Sequence, residues 1–171
     1  MDKKVPVISI VGAHNSGKTT FIEKVIRILS NRGYSVAAIK HDPKGKAVTD
    51  TPGKDSYRMF HAGAKQVILA SPDKITSYVR ISDYDPSDLV KEYVVEDIDI
   101  IIIEGFKKYK NTDKFEVIRK EEKRDLIISK EDGLVGVITD YYNYPLSFDI
   151  NRPEEFANYL EKHYIKAEKY L

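Results

Sequence analysis

The chain has 171 residues, 42% of them hydrophobic, enough to fill one core without help from a metal or a disulfide. Its 28 basic residues nearly cancel 27 acidic ones, so a net charge of +1 provides no global field to gather nucleic acid or an anionic membrane. Without cysteine, disulfides, thiolate catalysis and cysteine-ligated zinc are excluded.

The first apolar run, residues 5–11, is too short to span a membrane and carries no secretory cleavage pattern, so a cytoplasmic protein is expected. It is β-rich and nearly continuously apolar, as a strand buried on both faces is. Residues 19–32 read as a helix, with Ile22, Val25, Ile26 and Leu29 on one face and Gly33 as its stop. A strand over 34–40 completes a βαβ unit that ends at Lys40-His41-Asp42. A polar loop over 41–54 follows, and Asp55-Ser56 is expected to cap a short helix through Ala62. Residues 65–71 form another strand, 74–81 alternate weakly like an edge strand, and 85–95 form a helix with Pro86 in its first turn. The most apolar stretch, 98–103, should be a central strand, with Asp99 inside it either buried or turned toward a helix. Strands over 115–119 and 134–139 flank a charged turn at 120–133. Asn151-Arg152-Pro153 opens a last helix with the stripe Phe156, Tyr159, Leu160, His163 and Tyr164. Alternating strands and helices with no linker or repeat predict a single domain over 1–171. Its fold class is α/β, three-layered, with a mostly parallel central sheet and added edge strands.

Gly12-Ala13-His14-Asn15-Ser16-Gly17-Lys18-Thr19 matches G-x-x-x-x-G-K-[ST], directly after a buried strand and before an amphipathic helix. Two glycines let the backbone turn its N–H groups toward phosphate oxygens, and the helix start adds its positive dipole end. Lys18 would neutralise the terminal phosphates, and the Thr19 hydroxyl would ligate Mg²⁺, with Thr20 adjoining the site. A P-loop NTPase fold follows. Glu104, delivered by the isoleucine run to the carboxyl end of its strand, is the candidate magnesium carboxylate and, with Lys18, the candidate catalytic group. A solvated strand-end acid is the alternative for Glu104. Lys40 and His41 reach the same sheet edge and are candidate ligand contacts, and Asp50 in the next loop is a further candidate metal ligand. An ordinary polar loop with a helix cap accounts for 41–56 equally well. No pair of the four histidines has zinc-motif spacing, and the twelve tyrosines, without a basic excess, read as core and interface rather than base-stacking platforms.

The P-loop, Lys40-His41-Asp42, Asp50-Thr51-Pro52-Gly53-Lys54-Asp55-Ser56, Ala62-Gly63-Ala64 and Glu104-Gly105-Phe106-Lys107 occur in that order. Together they resemble the molybdopterin-guanine dinucleotide biosynthesis protein B family, and Phe115-Glu116-Val117-Ile118-Arg119 and Val137-Ile138-Thr139-Asp140 extend the likeness over residues 5–140. The resemblance implies a homodimeric GTP-binding accessory protein with weak Mg²⁺-dependent GTP hydrolysis. It would act beside the guanylyltransferase that joins a guanosine nucleotide to molybdopterin, with molybdopterin itself a further candidate ligand. The guanine-reading Asn-Lys-x-Asp is absent, and Asp140, after a buried strand on the ligand edge, is the candidate base contact, with a turn residue before Tyr141-Tyr142-Asn143 as the alternative. Two rivals remain at this point. A P-loop small-molecule kinase would want an arginine-rich lid, and the arginines here are scattered. A metallochaperone GTPase would want a cysteine motif or a histidine tract, and the chain has neither.

Overall fold

The computed structural model describes residues 5–141 and 144–167; of the turn expected around Tyr141-Tyr142-Asn143, Tyr142 and Asn143 lie outside them. Two compact units emerge, one made of Met1–His41 with Leu89–Leu171 and the other of Asp42–Asp88.

The larger unit begins with β1 (Val7–Gly12), α1 (Lys18–Asn31) and β2 (Val36–Lys40). Phe21, Ile22, Val25 and Leu29 form the buried face of α1; Phe21 joins it in place of the predicted Ile26, which is only partly buried against the core. In the smaller unit α2 (Asp55–His61) precedes the antiparallel pair β3 (Gln66–Ala70) and β4 (Ile75–Val79). The segment read as an edge strand therefore pairs with β3 in a separate two-stranded sheet. Nor do Asp55 and Ser56 cap α2: Lys54 is the N-cap without a side-chain bond, and the Ser56 hydroxyl donates to Asp50 Oδ1 at 3.1 Å. Val67 is buried in this unit, whereas Met59, Ile68, Leu69, Ile75 and Ile81 are exposed.

The larger unit resumes at Leu89 within α3 (Pro86–Tyr93) and continues with β5 (Ile100–Glu104), β6 (Asp113–Ile118), β7 (Leu134–Thr139), the short β8 (Ser147–Asp149) and α4 (Pro153–Leu160). Six strands run parallel in the order β2-β5-β1-β6-β7-β8. Ile100, Ile101, Ile102 and Ile103 are all buried, as a parallel strand covered on both faces requires. Asp99 lies just before β5 rather than inside it, and its carboxylate accepts the Ser35 N–H at 2.9 Å. Beneath the sheet, Phe115 meets Phe148, Phe156, Tyr159 and Tyr164 edge-on at centroid distances of 4.9–6.3 Å. A π-helical turn over Glu161–Ile165 continues α4 and shifts its phase. That shift buries Tyr164 and Ile165 and leaves His163 exposed, outside the predicted apolar stripe.

Candidate nucleotide site

Because all six strands are parallel, their carboxyl ends share one edge, where open α/β sheets place ligands. Gly12 ends β1 there with φ 147°, and a Cβ on it would stand 2.5 Å from the Val117 carbonyl oxygen of β6. Only glycine lets the chain leave the sheet this close to its neighbour. Gly17 is the N-cap of α1, at φ 91°, and neither a capping side chain nor an acidic residue in the first turn serves the helix start. N–H groups left in this way, with the dipole behind them, suit an anion. Inside the loop Ser16 is buried, His14 and Asn15 are exposed, and Asn15 holds a left-handed φ of 59°.

The Lys18 ammonium folds back to donate to the Ala13 carbonyl oxygen and, at 3.3 Å, to Ser16 Oγ. Burial pushes its pKa below the ordinary lysine value, an effect that nearby Lys107 and Lys40 reinforce and that Glu104 and Glu122 oppose. A bound phosphate would supply the negative charge that this half-buried cation needs.

Thr19 and Glu104 meet as expected: the threonine hydroxyl donates to Glu104 Oε2 at 2.8 Å. Lys40 is the register partner of Glu104 across β2 and β5, and its Nζ lies 3.0 Å from Glu104 Oε1 and 3.3 Å from Thr19 Oγ1. A hydroxyl and a carboxylate are hard oxygen donors, the kind Mg²⁺ takes in ones and twos while phosphates and water complete its octahedron. Among the described residues no three His, Cys, Asp or Glu side chains could hold a metal alone. This donor set thus fits Mg²⁺ carried with a nucleotide. Asp50 belongs to the smaller unit, where its Oδ1 accepts the Thr51 N–H at 2.8 Å as well as the Ser56 hydroxyl.

His41 follows Lys40, and its ring stacks on Phe106 with centroids 3.9 Å apart and planes 12° from parallel. Phe106 sits at a left-handed φ of 51°, and a Cβ on the preceding Gly105 would approach His41 Cβ to 2.9 Å. The Glu104-Gly105-Phe106 turn is thereby fixed against the end of β2. A buried charge cluster on β6, the strand beside β1, was missed in the sequence. Glu116 on β6 is completely buried, and its carboxylate accepts the Ile127 and Ile128 N–H groups at 2.8 and 2.9 Å and Arg124 Nη1 at 2.6 Å. Arg124 also pairs with Glu122 at 2.6 Å. The one available signal is the charge at 116 between apolar residues of a buried strand, and it names no partner.

Asp140 directly follows β7 at the carboxyl end of the sheet. Its Oδ2 accepts Arg119 Nε at 3.0 Å and its Oδ1 the Lys120 N–H at 2.8 Å. Burial works against its charge, but the Lys120 N–H and Arg119 prevail and hold the carboxyl below its ordinary value. Among the described residues no helix is long and apolar enough to cross a membrane.

The chain is 33% identical to the molybdopterin-guanine dinucleotide biosynthesis adapter protein of Haemophilus influenzae over 94% of its own length and 90% of that protein's. It is 32% identical to the probable adapter protein of Bacillus subtilis, with 78% and 75% covered. The crystal structure of Bacillus subtilis MobB superposes with a TM-score of 0.75 at 26% identity, covering 95% of this chain and 99% of that one. A second crystal structure, of a molybdopterin-guanine biosynthesis protein B, gives 0.72 at 30% identity, with 91% and 97% covered. The family model for molybdopterin guanine dinucleotide synthesis protein B matches residues 7–140, from the first strand to the carboxylate at the end of β7, and the chain belongs to that family.

Proposed function

We propose that this chain is a GTP-binding adapter in the formation of the guanine dinucleotide form of molybdopterin, acting in the cytoplasm beside a guanylyltransferase partner. The observation that carries the reading is the joining of Thr19 and Glu104 at 2.8 Å beside a P-loop whose helix start has no cap of its own. Mg²⁺ enters with the nucleotide on Thr19 and Glu104, and Gly12 through Thr20 embrace the phosphates. Lys40 and His41 border the same space, with molybdopterin as a second ligand. Hydrolysis by the protein alone is weak. Arg119 and Arg124 are tied to Asp140, Glu116 and Glu122, so neither is poised as a finger, a part worth about 10³–10⁵ in rate elsewhere. The exposed apolar residues of the β3–β4 unit support a homodimer.

Calorimetric titration with Mg²⁺·GTP tests the site. Lys18→Ala should weaken binding by about 10- to 100-fold, the worth of a charge-assisted hydrogen bond, with an unchanged far-UV spectrum. Wild-type affinity in the folded variant would remove the P-loop assignment. The adapter role is read separately, from dinucleotide yield by the guanylyltransferase with and without this chain; equal yields would remove it.

A further inference from the structure

The two groups that fit Mg²⁺ already share a cation. Lys40 Nζ lies 3.0 Å from Glu104 Oε1 and 3.3 Å from Thr19 Oγ1, while Thr19 Oγ1 donates to Glu104 Oε2 at 2.8 Å. These three contacts close a ring in which the lysine ammonium bridges both prospective ligands. Glu104 is mostly covered, with a side chain 16% exposed, but the lysine is 61% exposed and hangs from the last residue of an edge strand. It can therefore swing away without disturbing the sheet.

Building on the Mg²⁺·nucleotide reading, we infer that Lys40 is an internal stand-in for the metal, holding Thr19 and Glu104 in place and leaving them when Mg²⁺ arrives. The electrostatics require an exchange. An ammonium in hydrogen-bond contact with both ligands and a divalent cation bound to the same oxygens would repel each other at a few ångströms. Once displaced, the lysine keeps its charge and its reach. Incoming phosphate oxygens are the nearest anions for it, so it becomes a ligand contact in the loaded state. The exchange also keeps Glu104 partnered in both states. The carboxylate is never left covered and uncompensated, and metal binding proceeds without a separate ordering step. The cost is that Mg²⁺ must compete with a tethered cation, which raises the magnesium concentration at which the nucleotide complex tightens.

The test measures GTP affinity by calorimetry across a magnesium series that starts in EDTA. Lys40→Gln should lower the Mg²⁺ midpoint of the affinity gain about two- to fivefold, the range of a partly exposed ion pair. Affinity at saturating magnesium should fall, because the displaced lysine no longer reaches the phosphates. Lys40→Arg, which keeps the charge, should retain the wild-type midpoint. Lys107→Gln removes a positive charge that also acts on Lys18, and it should leave the midpoint within twofold. An unchanged or raised midpoint in Lys40→Gln overturns the exchange. So does an equal shift in Lys107→Gln, which would mean a general field and no local competition. If wild type binds GTP but gains nothing from magnesium, the exchange fails while the P-loop reading stands. If wild type binds no nucleotide at all, the site reading falls and the exchange with it.

Discussion

Asp140 lends both carboxylate oxygens to neighbours, one to Arg119 and one to the Lys120 N–H, yet a carboxylate has about four lone-pair directions. The unused pair can accept guanine N1–H and N2–H together, an edge that adenine does not offer. Asp140→Ala should therefore erase a GTP-over-ATP preference of about 1–3 kcal/mol, read from calorimetric affinities for both nucleotides. Asp140→Asn, which keeps an acceptor for Lys120, should lose it too. A preference that survives both changes would leave Asp140 as an anchor for Arg119 alone. At this scale the sequence was most legible where phosphate chemistry dictates residue type. Gly12, Lys18 and Thr19 have few substitutes in their roles, and strand-end positions brought Lys40 and Glu104 to one edge. The left-handed Phe106 left no trace, because φ at a non-glycine residue depends on packing such as the His41 stack and not on local composition.

Elements were recovered where periodicity runs long. The isoleucine strand, α1 and β7 lie within two residues of their predicted bounds. Misreadings fell where the period is short or interrupted. β8 has three residues, too few to show alternation, and the β3–β4 pairing reflects a choice of partner that alternation does not encode. The charged turn at 120–133 likewise hid its organisation, since Glu116 and Arg124 meet across a loop and not along a helix face. That loop is held by a fully buried carboxylate, so Glu116→Gln leaves Arg124 with a neutral partner and sets an amide against two backbone donors. We expect a loss of roughly 2–4 kcal/mol. At about 2–4 °C per kcal/mol for a chain of this size, a clear drop in Tm follows. Thermal unfolding by circular dichroism measures it, and an unchanged Tm would show that the loop is held by other means.

At the scale of the whole molecule, the β3–β4 hairpin asks for a cover. Ala70 faces Ile75 across the pair, and Ile68 lies two residues from Ala70, so Ile68 and Ile75 share one face. They are 60% and 75% exposed. Light scattering should give a dimer mass at micromolar concentration, and Ile68→Lys combined with Ile75→Lys should give a monomer. A monomeric wild type would remove the homodimer. The larger unit holds a different consequence. β1 lies in the middle of its sheet, with Ile8 paired to Ile102 on one side and Asp113 on the other. On the ribosome β1 is made well before either of its neighbours, with α1, β2 and the whole β3–β4 unit synthesised in between. While the intervening chain emerges, Ile8, Ile10 and Val11 can be shielded only by α1 or by a chaperone. The nascent chain thus carries an apolar strand unpaired until β5 and β6 have emerged and close around it, an exposure that strands with distant partners impose.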